Sequence, residues 1–181
     1  CYLIDVPTKD IQNTLPQVHV LGRGQVMHVS PDYSVLIDYA HNGVSFESII
    51  STVEQYNPNK LIVVYGSGGK RSKTRRYESG EVVAKHGGYS ILTADNPRGE
   101  KIVDICNDIV VGIDKYHGEY TIIPDRKEAI YHALDMAEKG DVVLLLGKGH
   151  ETYMIGEDEV TRHFSETEVL EEYKKERGLN A

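Results

Sequence analysis

The chain has 181 residues, of which 40% are hydrophobic and 27% charged, with a formal net charge of −8. This is the balance of one good-sized globular domain with a short appendage, not of a disordered chain. The acidic surplus disfavours general binding to nucleic acid or anionic membranes, and no apolar run nears the roughly 20 residues that cross a bilayer.

Residues 1–22 read as an appendage. Thr8 is placed to cap a short helix through Leu15, and Pro16 to stop it. Gly22 and Gly24 flank Arg23 in a hinge-like junction. Val35 to Ile37 is a short apolar strand, and residues 44–56 carry helical spacing up to Asn57-Pro58-Asn59. Leu61 to Val64 is a buried strand that runs into Gly66-Ser67-Gly68-Gly69. A helix over 76–86, a strand over 89–93, a helical face from Ile102 to Ile113 and a strand over 120–123 follow. Asp125 with Glu128 forms a capping-box pattern before a helix that Gly140 closes, and helix capping also accounts for Arg126. Val142 to Leu146 is another buried strand. Thr152–Ile155 and Glu159–Thr161 read as a hairpin, and Ser165 with Glu168 caps a last helix to Arg177. Alternating helices and apolar strands define an α/β fold: a Rossmann-like, open, mostly parallel twisted sheet with helices on both faces.

Four polar clusters each follow an apolar strand: Asp38-Tyr39-Ala40-His41-Asn42, Gly66 to Arg76, Asp95-Asn96-Pro97-Arg98, and Gly147-Lys148-Gly149-His150-Glu151. In a parallel sheet the carboxyl ends of all strands share one edge, where ligands bind. The clusters are therefore expected to face one cleft. The second holds five cations, Lys70, Arg71, Lys73, Arg75 and Arg76, and reads either as an anion-binding loop or as a solvated basic face. In the fourth, Lys148 offers charge to an anion while Glu151 accepts from an ammonium group. Both charge signs in one cleft suggest a zwitterion such as an amino acid, with Asp95 among the acidic contributors. Asp38 and His41 suit a ribose or polar head group. No G-x-x-x-x-G-K-[ST] occurs, so any triphosphate is expected to be held mainly outside this chain. No metal constellation and no catalytic nucleophile stands out. Cys106 lies on an apolar helix face, and with Cys1 it forms neither a disulfide framework nor a CxxC motif. The start at Cys1 rather than Met suggests a piece of a longer protein, and no signal-peptide pattern is seen.

Gly22-Arg23, Asp38 to Asn42, Gly66-x-Gly68-Gly69-x-Arg71, Asp95-Asn96-Pro97-Arg98, Asp125-Arg126-x-x-Ala129-Ile130 and Gly147-Lys148-Gly149-His150-Glu151 together resemble the C-terminal domain of the Mur ligases. The resemblance covers nearly the whole chain, in order. It departs from the family pattern at Gly24-Gln25, Gly43, Lys70 and Gly99-Glu100. It implies that residues 1–22 are the tail of a central ATPase domain and 23–181 the amino-acid-binding domain, inactive alone. The implied reaction is ATP- and Mg2+-dependent, with both held mainly by the central domain. It joins an amino acid to UDP-MurNAc-L-Ala-D-Glu through an acyl phosphate, in peptidoglycan synthesis, cell-wall biogenesis, cell shape and division. Arg23, Asp38, His41 and Asn42 would meet the nucleotide. Arg71, Asn96, Arg98, Gly147 and Glu151 would hold the amino acid, Arg98 on its distal carboxylate and Glu151 on its distal ammonium. The Asp-Asn-Pro-Arg form implies meso-2,6-diaminopimelate. A ligase adding lysine or another amino acid, and a non-catalytic amino-acid- or nucleotide-binding module, are the alternatives. A cytoplasmic monomer with no nucleic-acid or membrane partner is expected.

Overall fold

The computed structural model describes residues 6–15 and 20–179. Cys1 and Pro16 lie outside the described residues. In chain order the elements are α1 (Thr8–Thr14), β1 (Gln25–Met27), β2 (Ser34–Asp38), α2 (Gly43–Glu54), β3 (Leu61–Tyr65), α3 (Thr74–Lys85) and β4 (Tyr89–Leu92). They continue with α4 (Ile102–Asp114), β5 (Tyr120–Ile122), α5 (Arg126–Met136), β6 (Val142–Leu146), β7 (Tyr153–Ile155), β8 (Thr161–His163) and α6 (Glu166–Glu176).

Six strands form one sheet in the order β1-β2-β6-β3-β4-β5. Every pairing is parallel except the edge pair β1–β2. β3 and β6 are buried at every residue. Their runs Leu61-Ile62-Val63-Val64 and Val142-Val143-Leu144-Leu145-Leu146 pack alternate side chains into two cores. Phe46 and Ile50 of α2, Val83 of α3 and Ile105 to Ile113 of α4 cover one face with Val63 and Leu144. Ile130 and Leu134 of α5, with Val169 and Leu170 of α6, cover the other with Ile62 and Val143. Cys106 is fully buried on the α4 side, as its apolar face predicts. Burial pushes its thiol up to about 12.

Several boundaries differ from the sequence expectation. Thr8 is the first residue of α1, not its cap. Pro7 holds the N-cap position without a side-chain bond, since its fixed φ suits a helix entrance. α2 starts at Gly43 because Asn42 caps it, accepting from the Ser45 backbone N–H while the Ser45 hydroxyl receives the Asn42 N–H. α3 starts at Thr74, two residues early, and Arg76 in its first turn is tied to Asp108 and Glu100. β1 was not foreseen, being three residues without a buried position. The hairpin strands sit later than expected, in the register Tyr153↔His163 and Ile155↔Thr161. Asp125 and Ser165 do cap α5 and α6 through the Glu128 and Glu168 backbone N–H groups.

The Gly22–Gly24 junction is no free hinge. A Cβ at Gly22 would collide with the backbone of Gly149 and His150. The Gly24 N–H donates to Asp38 Oδ2 at 2.7 Å. The junction is thus fastened onto the carboxyl edge of the sheet.

Candidate functional site

β2, β3, β4 and β6 all end on one edge, and their following turns enclose a cavity of about 140 Å3. Of the residues proposed from sequence to hold an amino acid, all six reach it: Arg71, Asp95, Asn96, Arg98, Gly147 and Glu151. Of the four proposed for a nucleotide, only His41 lines it. Arg23 lies next to it, its guanidinium 4.9 Å over the ring of Tyr39.

Close backbone approach builds the cavity. Gly66 lies against the Thr93 carbonyl and Gly69 against that of Pro97, both too near for any Cβ. The Gly69 N–H donates to the Asn96 carbonyl at 2.8 Å. The glycine loop and the Asp95–Arg98 turn are therefore one stitched unit. A Cβ at Gly68 would crowd Arg98 Nη1, so that glycine leaves room for the guanidinium. Arg98 has the left-handed φ of 48°, a conformation rare for a side chain of this size. Its Nη1 donates to the Asn96 carbonyl at 3.3 Å.

Asn96 is buried and all its amide atoms are used. Its Oδ1 accepts from the Ile155 N–H at 2.9 Å and from Lys148 Nζ at 3.3 Å. Its Nδ2 donates to Glu151 Oε2 at 3.0 Å and Asp95 Oδ1 at 3.2 Å. The expectation that Lys148 offers charge to an anion is overturned. Its side chain is 0% exposed. Nζ donates to Glu151 Oε2 at 2.7 Å and to the Tyr153 carbonyl at 2.5 Å, with Asp95 3.8 Å away. A buried ammonium so enclosed is a wall group that orders carboxylates. Burial alone would raise the Glu151 carboxyl, but Lys148 and the Asn96 amide outweigh it and hold it below the ordinary glutamate value.

On the other flank, Asp38 accepts from the Gly24 and Ala40 N–H groups, each at 2.7 Å. Asn42 spends its side-chain oxygen on the α2 cap. The His41 Nδ1 lies 2.9 Å from the Tyr39 carbonyl. The basic loop divides. Arg71 and Arg75 line the cavity, Lys73 and buried Arg76 pair with Asp108, and Lys70 pairs with Glu159. Arg126 is not part of the α5 cap. It is buried against Glu166.

Sequence reasoning did not single out Tyr39, whose hydroxyl stands 3.4 Å from Glu151 Oε1, and left Arg75 as one of five loop cations. Burial and the neighbouring Glu151 carboxylate raise the Tyr39 phenol, so it stays a proton donor. Its signal was present: an aromatic directly after the apolar strand and beside His41. Among the described residues no group of three or more His, Cys, Asp or Glu could hold a metal ion.

An α/β sheet whose strand-end turns gather guanidinium and carboxylate groups around one small cavity is of the doubly wound class, in which that edge is where ligands bind. The chain belongs to the Mur ligase family: the family model for "Mur ligase, glutamate ligase domain" matches residues 22–149. It is 40% identical over 169 residues to the UDP-N-acetylmuramoyl-L-alanyl-D-glutamate--2,6-diaminopimelate ligase of Caldanaerobacter subterraneus subsp. tengcongensis, covering 93% of this chain and 35% of that protein. The ligase of the same name from Clostridium perfringens is 41% identical over 171 residues, with the same coverage. A solved structure of a ligase with this name superposes with a TM-score of 0.79 at 27% identity, covering 98% of this chain and 36% of that one. The bifunctional folylpolyglutamate synthase/dihydrofolate synthase of Yersinia pestis CO92 shares the fold, with a TM-score of 0.62 at 20% identity over 79% of this chain and 32% of its own. The chain thus spans about a third of the length of these relatives.

Proposed function

We propose that this chain is the amino-acid-binding part of an ATP-dependent ligase that adds meso-2,6-diaminopimelate to UDP-MurNAc-L-Ala-D-Glu in peptidoglycan synthesis. Residues 1–22 then end a central ATPase domain and residues 23–181 form the amino-acid domain of a cytoplasmic monomer. The observation that carries this reading is the meeting of both charge signs in one cavity, with Arg71 and Arg98 alongside Glu151 and Asp95. Diaminopimelate has a carboxylate for each of Arg71 and Arg98 and a distal ammonium for Glu151 Oε1, the oxygen that Lys148 does not take. Lysine has no distal carboxylate, and would leave Arg98 without an anionic partner from the ligand. The names of the relatives at 40% and 41% identity support the same choice.

The domain's part in the reaction is positioning. Gripping both ends of the amino acid aims its remaining amine at the activated carboxyl and turns a bimolecular encounter into a local one. Bound ATP supplies that activation. This chain has no phosphate loop in its sequence and no metal-ligating cluster among its described residues, so the triphosphate and Mg2+ are not assigned to it. Arg23, Asp38, His41 and Asn42 form the edge turned to the nucleotide in this reading.

The test is ADP release by the complete gene product with diaminopimelate or lysine, repeated for Arg98→Ala. Diaminopimelate is expected to be strongly preferred. Arg98→Ala is expected to raise its KM by the equivalent of about 2–5 kcal/mol, the range for losing one partner of a buried charged pair. Equal use of lysine overturns the substrate, and no ADP release with any amino acid overturns the ligase.

A further inference from the structure

Arg126 is a cation in the first turn of α5, where the helix dipole disfavours positive charge. The helix does not need it, since Asp125 supplies the cap. Its side chain is 0% exposed, as is that of its partner Glu166, the first residue of α6. A buried ion pair is a poor source of stability compared with apolar residues of the same volume. The remaining bonds of the guanidinium show where it acts. Nη1 donates to the Ala94 carbonyl and Nη2 to the Leu146 carbonyl, each at 2.8 Å. Nε and Nη2 hold Glu166 Oε1 at 3.0 and 2.7 Å.

Ala94 directly precedes Asp95, and Leu146 directly precedes Gly147. Ala94 lies two residues past the end of β4 and Leu146 is the last residue of β6, two strands that are not neighbours, because β3 lies between them. The β3–β4 ladder stops at Leu92 and the β3–β6 ladder at Leu145. Past those rungs, the separation of the two turns is no longer set by the ladders beside β3. One planar fork spans that gap, and Glu166 fixes the fork from behind. Lysine carries its three donors on one nitrogen and cannot reproduce this planar fork, whose separate nitrogens reach the two carbonyls and the carboxylate.

We propose that Arg126, held by Glu166, is a positioning residue for the amino-acid site: it sets the distance between the turn carrying Asp95, Asn96 and Arg98 and the turn carrying Gly147 and Glu151. This role rests on the ligase reading above and deepens it.

The test compares the complete gene product with two variants. Arg126→Lys keeps the buried charge opposite Glu166 but loses the fork. The double variant Arg126→Met/Glu166→Leu removes both charges, so no carboxylate is stranded. Thermal midpoints and KM values for diaminopimelate and for ATP are measured for each. At least one variant is expected to fold, with its diaminopimelate KM raised at least tenfold and its ATP KM within twofold of the parent. A folded variant with unchanged diaminopimelate KM overturns the role, as does an equal rise in both KM values. Loss of the folded state in both variants overturns it too, making the pair a fold element only. The parent protein serves as the control for the reading beneath: if it shows no saturable dependence on diaminopimelate, that reading fails and this role falls with it, whereas normal parent saturation confines any failure to Arg126.

Discussion

The two oxygens of Glu151 live in different surroundings. Oε2 takes the Lys148 ammonium and the Asn96 amide, while Oε1 accepts from the Tyr39 hydroxyl at 3.4 Å. The carboxyl is held below its ordinary value. A depressed carboxyl contributes stability that is complete above its unfolded-state pKa and is lost as pH falls through the folded-state value. Glu151→Gln removes that contribution. The gap in thermal midpoint between parent and variant is therefore expected to be constant at neutral pH and to close only below the ordinary glutamate range. Calorimetry of both proteins across acid pH checks this, and a gap that closes near neutrality would sink it. The lysine that causes the shift was misread from sequence. Nothing in Gly-Lys-Gly-His-Glu tells a buried lysine from an exposed one. One of its acceptors is the Tyr153 carbonyl of β7, a backbone atom that carries no residue signature.

At the scale of elements, the contact between the glycine loop after β3 and the turn after β4 is made of backbone. Gly69→Ala would drive a methyl into the Pro97 carbonyl. It is expected to destabilise the domain by about 1–3 kcal/mol, the usual cost of overpacking a close-packed site. It should also weaken amino-acid binding, because Arg98 rides on the displaced turn. Thermal unfolding and the diaminopimelate KM measure the two effects. A variant with parent-like values in both would mean that the loop moves freely. The elements that sequence patterning found are those with strong local causes. β3 and β6 are apolar at every position, and α4 repeats its apolar face to Ile113. Patterning does not find β1, whose three residues include no fully buried one, nor the hairpin register, where Ile155 bonds to the distant Asn96 side chain and Arg98 backbone. Arg126 was read as part of a cap because its true partners, Ala94, Leu146 and Glu166, are far away in sequence.

Across the whole molecule, burial falls from the centre of the sheet outward. β3 and β6 are covered on both faces by α2 to α6, whereas β1 lies on an edge and α1 has no buried residue. Hydrogen exchange followed by mass spectrometry is expected to show β3 and β6 opening last, with α1, β1 and the β7–β8 hairpin first. Early exchange in β6 would contradict the two-sided core. The gathering of the site was legible at this scale, because parallel topology sends every strand's carboxyl end to one edge. The six residues assigned to the amino acid do line the cavity, whereas the burial of Lys148 was not legible, since it goes with the hairpin folding back against Asn96.

The cavity draws its walls from the turns after β2, β3, β4 and β6, that is, from nearly the full span of the sheet. A guest seated there acts as a removable clasp joining remote stretches of chain. It leaves only when its hold on all of them is released, and no single loop can fray without loosening it. Occupancy therefore reinforces the entire body rather than one corner, by an amount that grows with the logarithm of guest concentration over its dissociation constant.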